Sequence, residues 1–302
     1  MSDDPARPAS RLLPALALTV NALVCGTSWW PFRQFESLGL HPLWATVAIY
    51  TVVVAVIGLL RPRAFGQVLR TPSLWVLVLA AGTTNAAFNW AVVIGDVVRV
   101  ILLFYLMPLW AVLLARMLLG EPLTRAAGLR VLLALAGAAI VLWPAGASGW
   151  AALPWPRALP DWLGVLGGFS FALNNVMLRR EAHRPEEGRA MAMFAGGAVV
   201  AAALALALAS GGALPWPPAP APGWALGVLA LSVLFLVGNL ALQYGASRLP
   251  ANVTSVVMLT EVVFASGSAL LLGAGSLSVP LVLGGGLILL AAGLAAVGPA
   301  SH

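Results

Sequence analysis

Few side chains in this chain are equipped for chemistry, and they are unevenly placed. Glu261 lies about ten residues from either end of the apolar stretch Ala251–Leu272 and is the only acidic residue deep in such a stretch. A charged group at mid-membrane costs roughly 2.5–3.5 kcal/mol on insertion scales. Glu261 therefore faces a wet cavity, has a partner or is protonated. Either it binds a substrate ammonium or a coupling proton, or it is a neutral hydrogen-bonding link between helices. Asn85 and Asn89 stand four apart, as do Asn239 and Gln243, so each pair shares one helical face. Amides donate to a carboxylate and accept from an ammonium. Two such pairs facing a central cavity suit a zwitterion; the same side chains also serve as interhelical glue. Asn174 and Asn175 are adjacent, so at most one faces a cavity squarely.

The remaining candidates shape a cavity rather than react. Trp90, Tyr105, Trp110, Phe171, Tyr244 and Phe264, with Trp29 and Trp30, are the aromatic side chains considered for its lining. Trp143, Trp150, Trp155 and Trp162 sit near the ends of apolar stretches and fit an interfacial belt. Pro108 removes a backbone hydrogen bond inside a helix and predicts a kink there. Asp96 and Arg99 cap one end of the same region as a solvated pair or a gate.

Other chemistries lack their parts. Cys25 is the only cysteine, and His41, His183 and His302 lie near stretch ends or the terminus, so no metal-ligand set forms. Gly146-Ala-Ser-Gly149 superficially matches a nucleophile motif, but no histidine lies mid-stretch as its base. A paired-aspartate protease needs intramembrane Asp, which is missing. There is no nucleotide-binding loop, and no cofactor, metal or catalytic residue is expected. The pattern is not that of an enzyme.

The elements that position these residues are set by hydropathy. The chain is 61% hydrophobic and 9% charged, with a mean hydropathy of +0.96; soluble domains carry about 25% charged residues. About 20 apolar residues cross the hydrocarbon core. Ten stretches qualify: Leu12–Trp30, His41–Leu60, Leu74–Ile94, Val97–Leu119, Ala126–Trp143, Trp162–Leu178, Ala190–Leu208, Trp224–Tyr244, Ala251–Leu272 and Val279–Val297. The first is expected to be a retained helix rather than a cleaved signal. The pI near 11.0 does not point to nucleic acid, because no basic cluster with stacking aromatics lies in a polar segment.

All 16 basic residues are Arg, and they alternate between the two sides. Arg7, Arg11, Arg61, Arg63, Arg70, Arg116, Arg125, Arg130, Arg179, Arg180, Arg184, Arg189 and Arg248 make 13 on one side, against Arg33, Arg99 and Arg157 on the other. This bias places both termini in the cytoplasm.

Ten spans divide into five and five, and copies with an odd number of spans must be inverted. The loop after span two holds three Arg, whereas its counterpart after span seven holds none. A constant shift of 154 residues brings Asn85 onto Asn239, Asn89 onto Gln243, Trp90 onto Tyr244, Met107 onto Glu261 and Trp110 onto Phe264. Inverted repeats are a recurring transporter plan with substrate held near the midplane. The Met107–Glu261 mismatch makes the site asymmetric.

Tyr105-Leu-Met-Pro-Leu-Trp110 running on to Leu119-Gly-Glu-Pro-Leu-Thr124, with Leu259-Thr-Glu-Val-Val-Phe-Ala265 as a second-half copy, resembles the drug/metabolite transporter superfamily in its ten-helix EamA branch. Within that branch the chain is similar to bacterial inner-membrane exporters of aromatic and other amino acids. Val262 stands where the second-half Pro is usual, and Ala274-Gly275 where Gly-Glu is usual, so the residue that would kink span nine is missing. The resemblance covers essentially the whole chain. It implies a bacterial inner-membrane carrier exporting aromatic and other small amino acids by alternating access, with broad specificity.

The expectation is therefore an all-α membrane protein. It has a cytoplasmic tail (1–11), a first five-helix repeat (12–143), an external linker (144–161), a second repeat (162–297) and a short tail (298–302). Partners would be the lipid bilayer and a small amino-acid or metabolite substrate, with no nucleic acid; a monomer is plausible and the oligomeric state open. Two alternatives stay in view: an exporter of cationic drugs or quaternary ammonium compounds, which Glu261 among aromatics would suit, and a membrane scaffold without an aqueous cavity.

Overall fold

The computed structural model describes residues 9–95, 97–143, 156–273 and 277–297, and among them there are helices and no strand. In chain order these are α1 (Ala9–Thr27), α2 (Trp29–Ser37), α3 (Pro42–Leu60), α4 (Arg63–Arg70), α5 (Pro72–Ile94), α6 (Val97–Phe104) and α7 (Met107–Leu119). They continue with α8 (Arg125–Leu142), α9 (Leu159–Arg180), α10 (Glu186–Ser210), α11 (Pro222–Arg248), α12 (Ala251–Met258), α13 (Glu261–Leu271) and α14 (Val279–Val297). A helix or an interrupted helix covers each of the ten expected stretches. Eight are long and apolar enough to cross a membrane, or nine if the bent pair α4 and α5 is counted. The helix α9 is not among them: it carries Asp161, Asn174, Asn175, Arg179 and Arg180. Leu59, Leu271 and Val279 are exposed on the outside, while Thr46, Asn175, Gln243, Thr254 and Ser255 are buried inside. Apolar outside and polar inside, that distribution suits a multi-pass membrane protein, because lipid offers polar groups no partner. Gly146-Ala-Ser-Gly149, Trp150, Trp155, Ala274-Gly275, Asp96 and the Arg99 side chain lie outside the described residues.

Local sequence explains the helix ends. Pro42, Pro72 and Pro222 open α3, α5 and α11, where a missing N–H costs nothing. Gly120, at φ 69°, ends α7 in the left-handed conformation. The Thr124 hydroxyl then accepts from the Ala127 amide at 3.1 Å to start α8. The segment Leu119–Thr124 is thus a helix stop, a Pro and a helix start in succession. Two elements were not anticipated. The first helical stretch resumes after Ser28 as α2. The expected loop after α3 contains α4, which buries Ala64 and Val68 one turn apart, exposes Phe65 and Leu69, and turns through 100° into α5.

The packing is reciprocal. The helix α5 lies on α9 and α10, and α11 lies on α1 and α3. In the same way α9 carries α6 and α7, while α1 carries α12 and α13. The helices α8 and α14 pack together, as do α7 and α12. At the α8–α14 crossing a Cβ on Gly137 would stand 2.5 Å from the Gly284 carbonyl oxygen, so only glycine allows this approach.

Candidate substrate site at the interrupted helices

The two interrupted helices break in the same register. Val97 and Ala251, Phe104 and Met258, and Met107 and Glu261 are each 154 residues apart, and they bound α6 and α12, then open α7 and α13. At the first break Leu106 N bonds Leu103 O at 3.3 Å and Leu109 N bonds Leu106 O at 3.0 Å; Pro108, buried in the first turn of α7, supplies no N–H. At the second, Leu259 N bonds Val256 O at 3.2 Å and Val262 N bonds Leu259 O at 3.1 Å. These tighter three-residue turns interrupt α12 and α13 without a proline, so the loss of Pro at Val262 does not abolish the break.

Glu261 opens α13 and is half-buried. The helix α1 comes so close that a Cβ on Gly26 would stand 2.6 Å from the Glu261 carbonyl oxygen and 3.0 Å from the Phe264 Cβ. The carboxylate is within electrostatic range of Cys25 and Tyr105, and it has no ion-pair partner among the described residues. Tyr105 is buried in the first break, with its ring 6.1 Å from Phe104. Phe104 in turn meets Phe88 at 5.1 Å and Phe171 at 5.8 Å. Met107 is buried at the start of α7. Trp110 sits edge-on to Phe169 at 5.6 Å, with its buried indole N–H lacking an acceptor. Thus Glu261, Tyr105, Met107, Phe171 and Phe264 belong to the region around the breaks.

The amide pairs do not bond across a centre. The Tyr50 hydroxyl donates to Asn85 Oδ1 at 3.0 Å, and Asn89 Nδ2 donates to Thr46 Oγ1 at 3.0 Å. Because Thr46 and Tyr50 are one turn apart on α3, the two contacts form an antiparallel ladder between α3 and α5. Asn85 Nδ2 also donates to Ala81 O at 2.9 Å. On α11, Gln243 Nε2 donates to Asn239 Oδ1 at 2.7 Å, and Asn239 Nδ2 donates to Met193 Sδ on α10 at 3.3 Å. The two pairs therefore join different neighbours. Asn174 and Asn175 are fully buried, with the Asn174 carbonyl and both polar atoms of Asn175 unpartnered; Gln243 Oε1 is in the same condition.

Two aromatic candidates lie away from the breaks. Trp90 packs on a small cluster of Ala87, Ala91, Val100 and Leu163. Tyr244 is near the end of α11, with the Arg248 guanidinium 3.8 Å above its ring. Sequence reasoning missed Tyr50, whose signal was a lone polar atom inside an apolar stretch. It also missed the pairing of Glu121 with Arg179, which nothing in their spacing announces.

No family model matches the chain, and no curated protein matches it. A solved crystal structure of a protein is similar over 95% of this chain and 96% of its own length, with a TM-score of 0.72 and 23% identity. That likeness shows the fold alone.

Proposed function

We propose that this protein is a secondary carrier of the bacterial inner membrane, exporting aromatic and other small amino acids by alternating access. In this reading ten helices cross the membrane as two inverted five-helix repeats, residues 12–143 and 162–297, with both termini in the cytoplasm. The carrying observation is the pair of interrupted helices, α6–α7 and α12–α13, broken 154 residues apart and packed through α7 and α12. Interrupted helices at a repeat interface are where carriers hold substrate. The exchange of neighbours between α9 and α1, and the 13-to-3 division of Arg, support the inversion. The resemblance to the EamA branch supports the substrate class.

Glu261 receives the substrate ammonium or a coupling proton. Tyr105, Met107, Phe171 and Phe264 accommodate the side chain. An apolar chamber with few fixed polar groups takes many side chains. Asn85 and Asn239 hold the helices that frame the chamber.

A second reading, export of organic cations such as quaternary ammonium compounds, is favoured by one observation: Glu261 stands near Tyr105 and Phe264 with no cationic partner among the described residues. Carboxylate and aromatic rings together recognise such cations. Uptake of labelled phenylalanine and of a labelled quaternary ammonium into proteoliposomes separates the two. Saturable phenylalanine movement supports the first reading; movement of the cation alone replaces it with the second.

A further inference from the structure

A polar concavity lies at one end of the bundle, where the turn between α9 and α10 meets the end of α11. It has a volume of about 540 Å³, and His183, Arg184, Glu186, Arg189 and Arg248 line it. Its charges are incompletely answered. Arg184 is paired with Glu181. Arg248 makes no ion pair among the described residues; its guanidinium donates to Tyr244 O at 3.1 Å and Ser247 Oγ at 3.3 Å.

Arg189 is the unusual member. It is only 2% exposed. Its Nη1 reaches Leu178 O at 3.4 Å, its Nη2 is 4.0 Å from the half-exposed Glu186 carboxylate, and its buried Nε has no acceptor. Glu186 and Glu181 are close enough to attract it electrostatically, and Arg248 to repel it. A buried guanidinium without a hydrogen-bonded anion is costly. Here a second guanidinium adds to that cost instead of relieving it.

We propose that this concavity binds a phosphate group between Arg189 and Arg248. A tetrahedral oxyanion offers several acceptors to two guanidinium forks, which match phosphate geometry. The site sits at the Arg-rich end of the bundle, beside Arg179 and Arg180 at the end of α9. Basic pockets between helices at that level take anionic headgroups, and a free phosphate has the same oxygens. This inference does not depend on what the central site carries.

The test is thermal unfolding of the purified full chain under two conditions. In detergent, inorganic phosphate is titrated against chloride at matched ionic strength. In vesicles, phosphatidylglycerol is compared with phosphatidylcholine. A saturable rise in midpoint with phosphate assigns a free anion, and a rise confined to phosphatidylglycerol assigns a lipid headgroup. In either case Arg248→Gln, a change at an exposed position, weakens the apparent affinity by about tenfold. Arg33→Gln, in an exposed position of α2, leaves the affinity unchanged. Midpoints that respond to neither phosphate nor phosphatidylglycerol overturn the proposal. So does a response that Arg248→Gln leaves intact.

Discussion

Arg179 Nε stands 3.6 Å from Glu121 Oε1, joining the end of α9 to the connection between α7 and α8. The same carboxylate accepts the Ala251 amide at 3.3 Å, so it also caps α12. Arg179 Nη1 in turn donates to Ser247 O at 3.1 Å. One ion pair thus ties α7, α9, α11 and α12 at a single end of the bundle. Burial raises the Glu121 carboxyl above its usual range, against the pull of Arg179 and the Ala251 amide. Glu121→Gln keeps the shape and removes a charge that burial disfavours, so the lost pull of Arg179 and the relieved burial offset each other, and stability should shift by less than about 1 kcal/mol. A double-mutant cycle with Arg179→Gln, read by thermal unfolding, should show the two effects to be coupled.

Asn85 has its work on α3. Tyr50→Phe and Asn85→Ala should each remove about 1 kcal/mol, and together less than the sum, because they delete the same hydrogen bond. Strict additivity in the unfolding midpoints would contradict the 3.0 Å contact between them. Asn85→Ala should also slow transport at unchanged membrane levels, through displacement of α5.

The crossing of α8 and α14 leaves no space at Gly137 or Gly284. Gly284→Val forces the two backbones apart, with a penalty of about 1–3 kcal/mol or more. Gly286→Val on the same helix, where a Cβ meets nothing within 4 Å, is the comparison. Size-exclusion profiles should show a loss of folded protein for the first substitution only.

Glu181 gives the protein a pH response outside the spans. Burial pushes its carboxyl up, but the bonds from Arg184 and Ser73 and the charges of Arg184 and His183 together outweigh this and hold it below the usual range. A lowered folded pKa means stability that is present above the ordinary carboxylate pKa and is lost as pH falls through the folded value. Unfolding midpoints should therefore decline on acidification, and Arg184→Gln should flatten that decline.

Much of the helix plan was legible, because an uninterrupted apolar stretch in a chain so poor in charge has few other uses. The capped turn at Gly120 to Thr124 could be read as a motif, and its physical content is a stop and a start. The break at Leu259 could not be read, since it is made by three-residue backbone turns in a segment without proline. The partner of Asn85 could not be read for a different reason: its acceptor oxygen meets Tyr50 on a neighbouring helix, and that partner is chosen by packing. The link from Glu121 to Arg179 is likewise tertiary: two common charged residues near span ends carry no mark of each other. Amphipathic α4 was hidden by brevity, its eight residues having passed for an Arg-bearing loop.

A carrier of the kind proposed exposes one site to the two faces of the membrane in turn. Counterflow tests it most directly: proteoliposomes loaded with unlabelled phenylalanine, diluted into a trace of labelled phenylalanine, with wild type and Glu261→Gln compared with and without a pH gradient. Transient accumulation of label above equilibrium is expected in the wild type, and in the variant a reduced rate that no longer responds to the gradient. Passive equilibration without overshoot, from well-folded protein and for both amino acid and cation, would contradict alternating access.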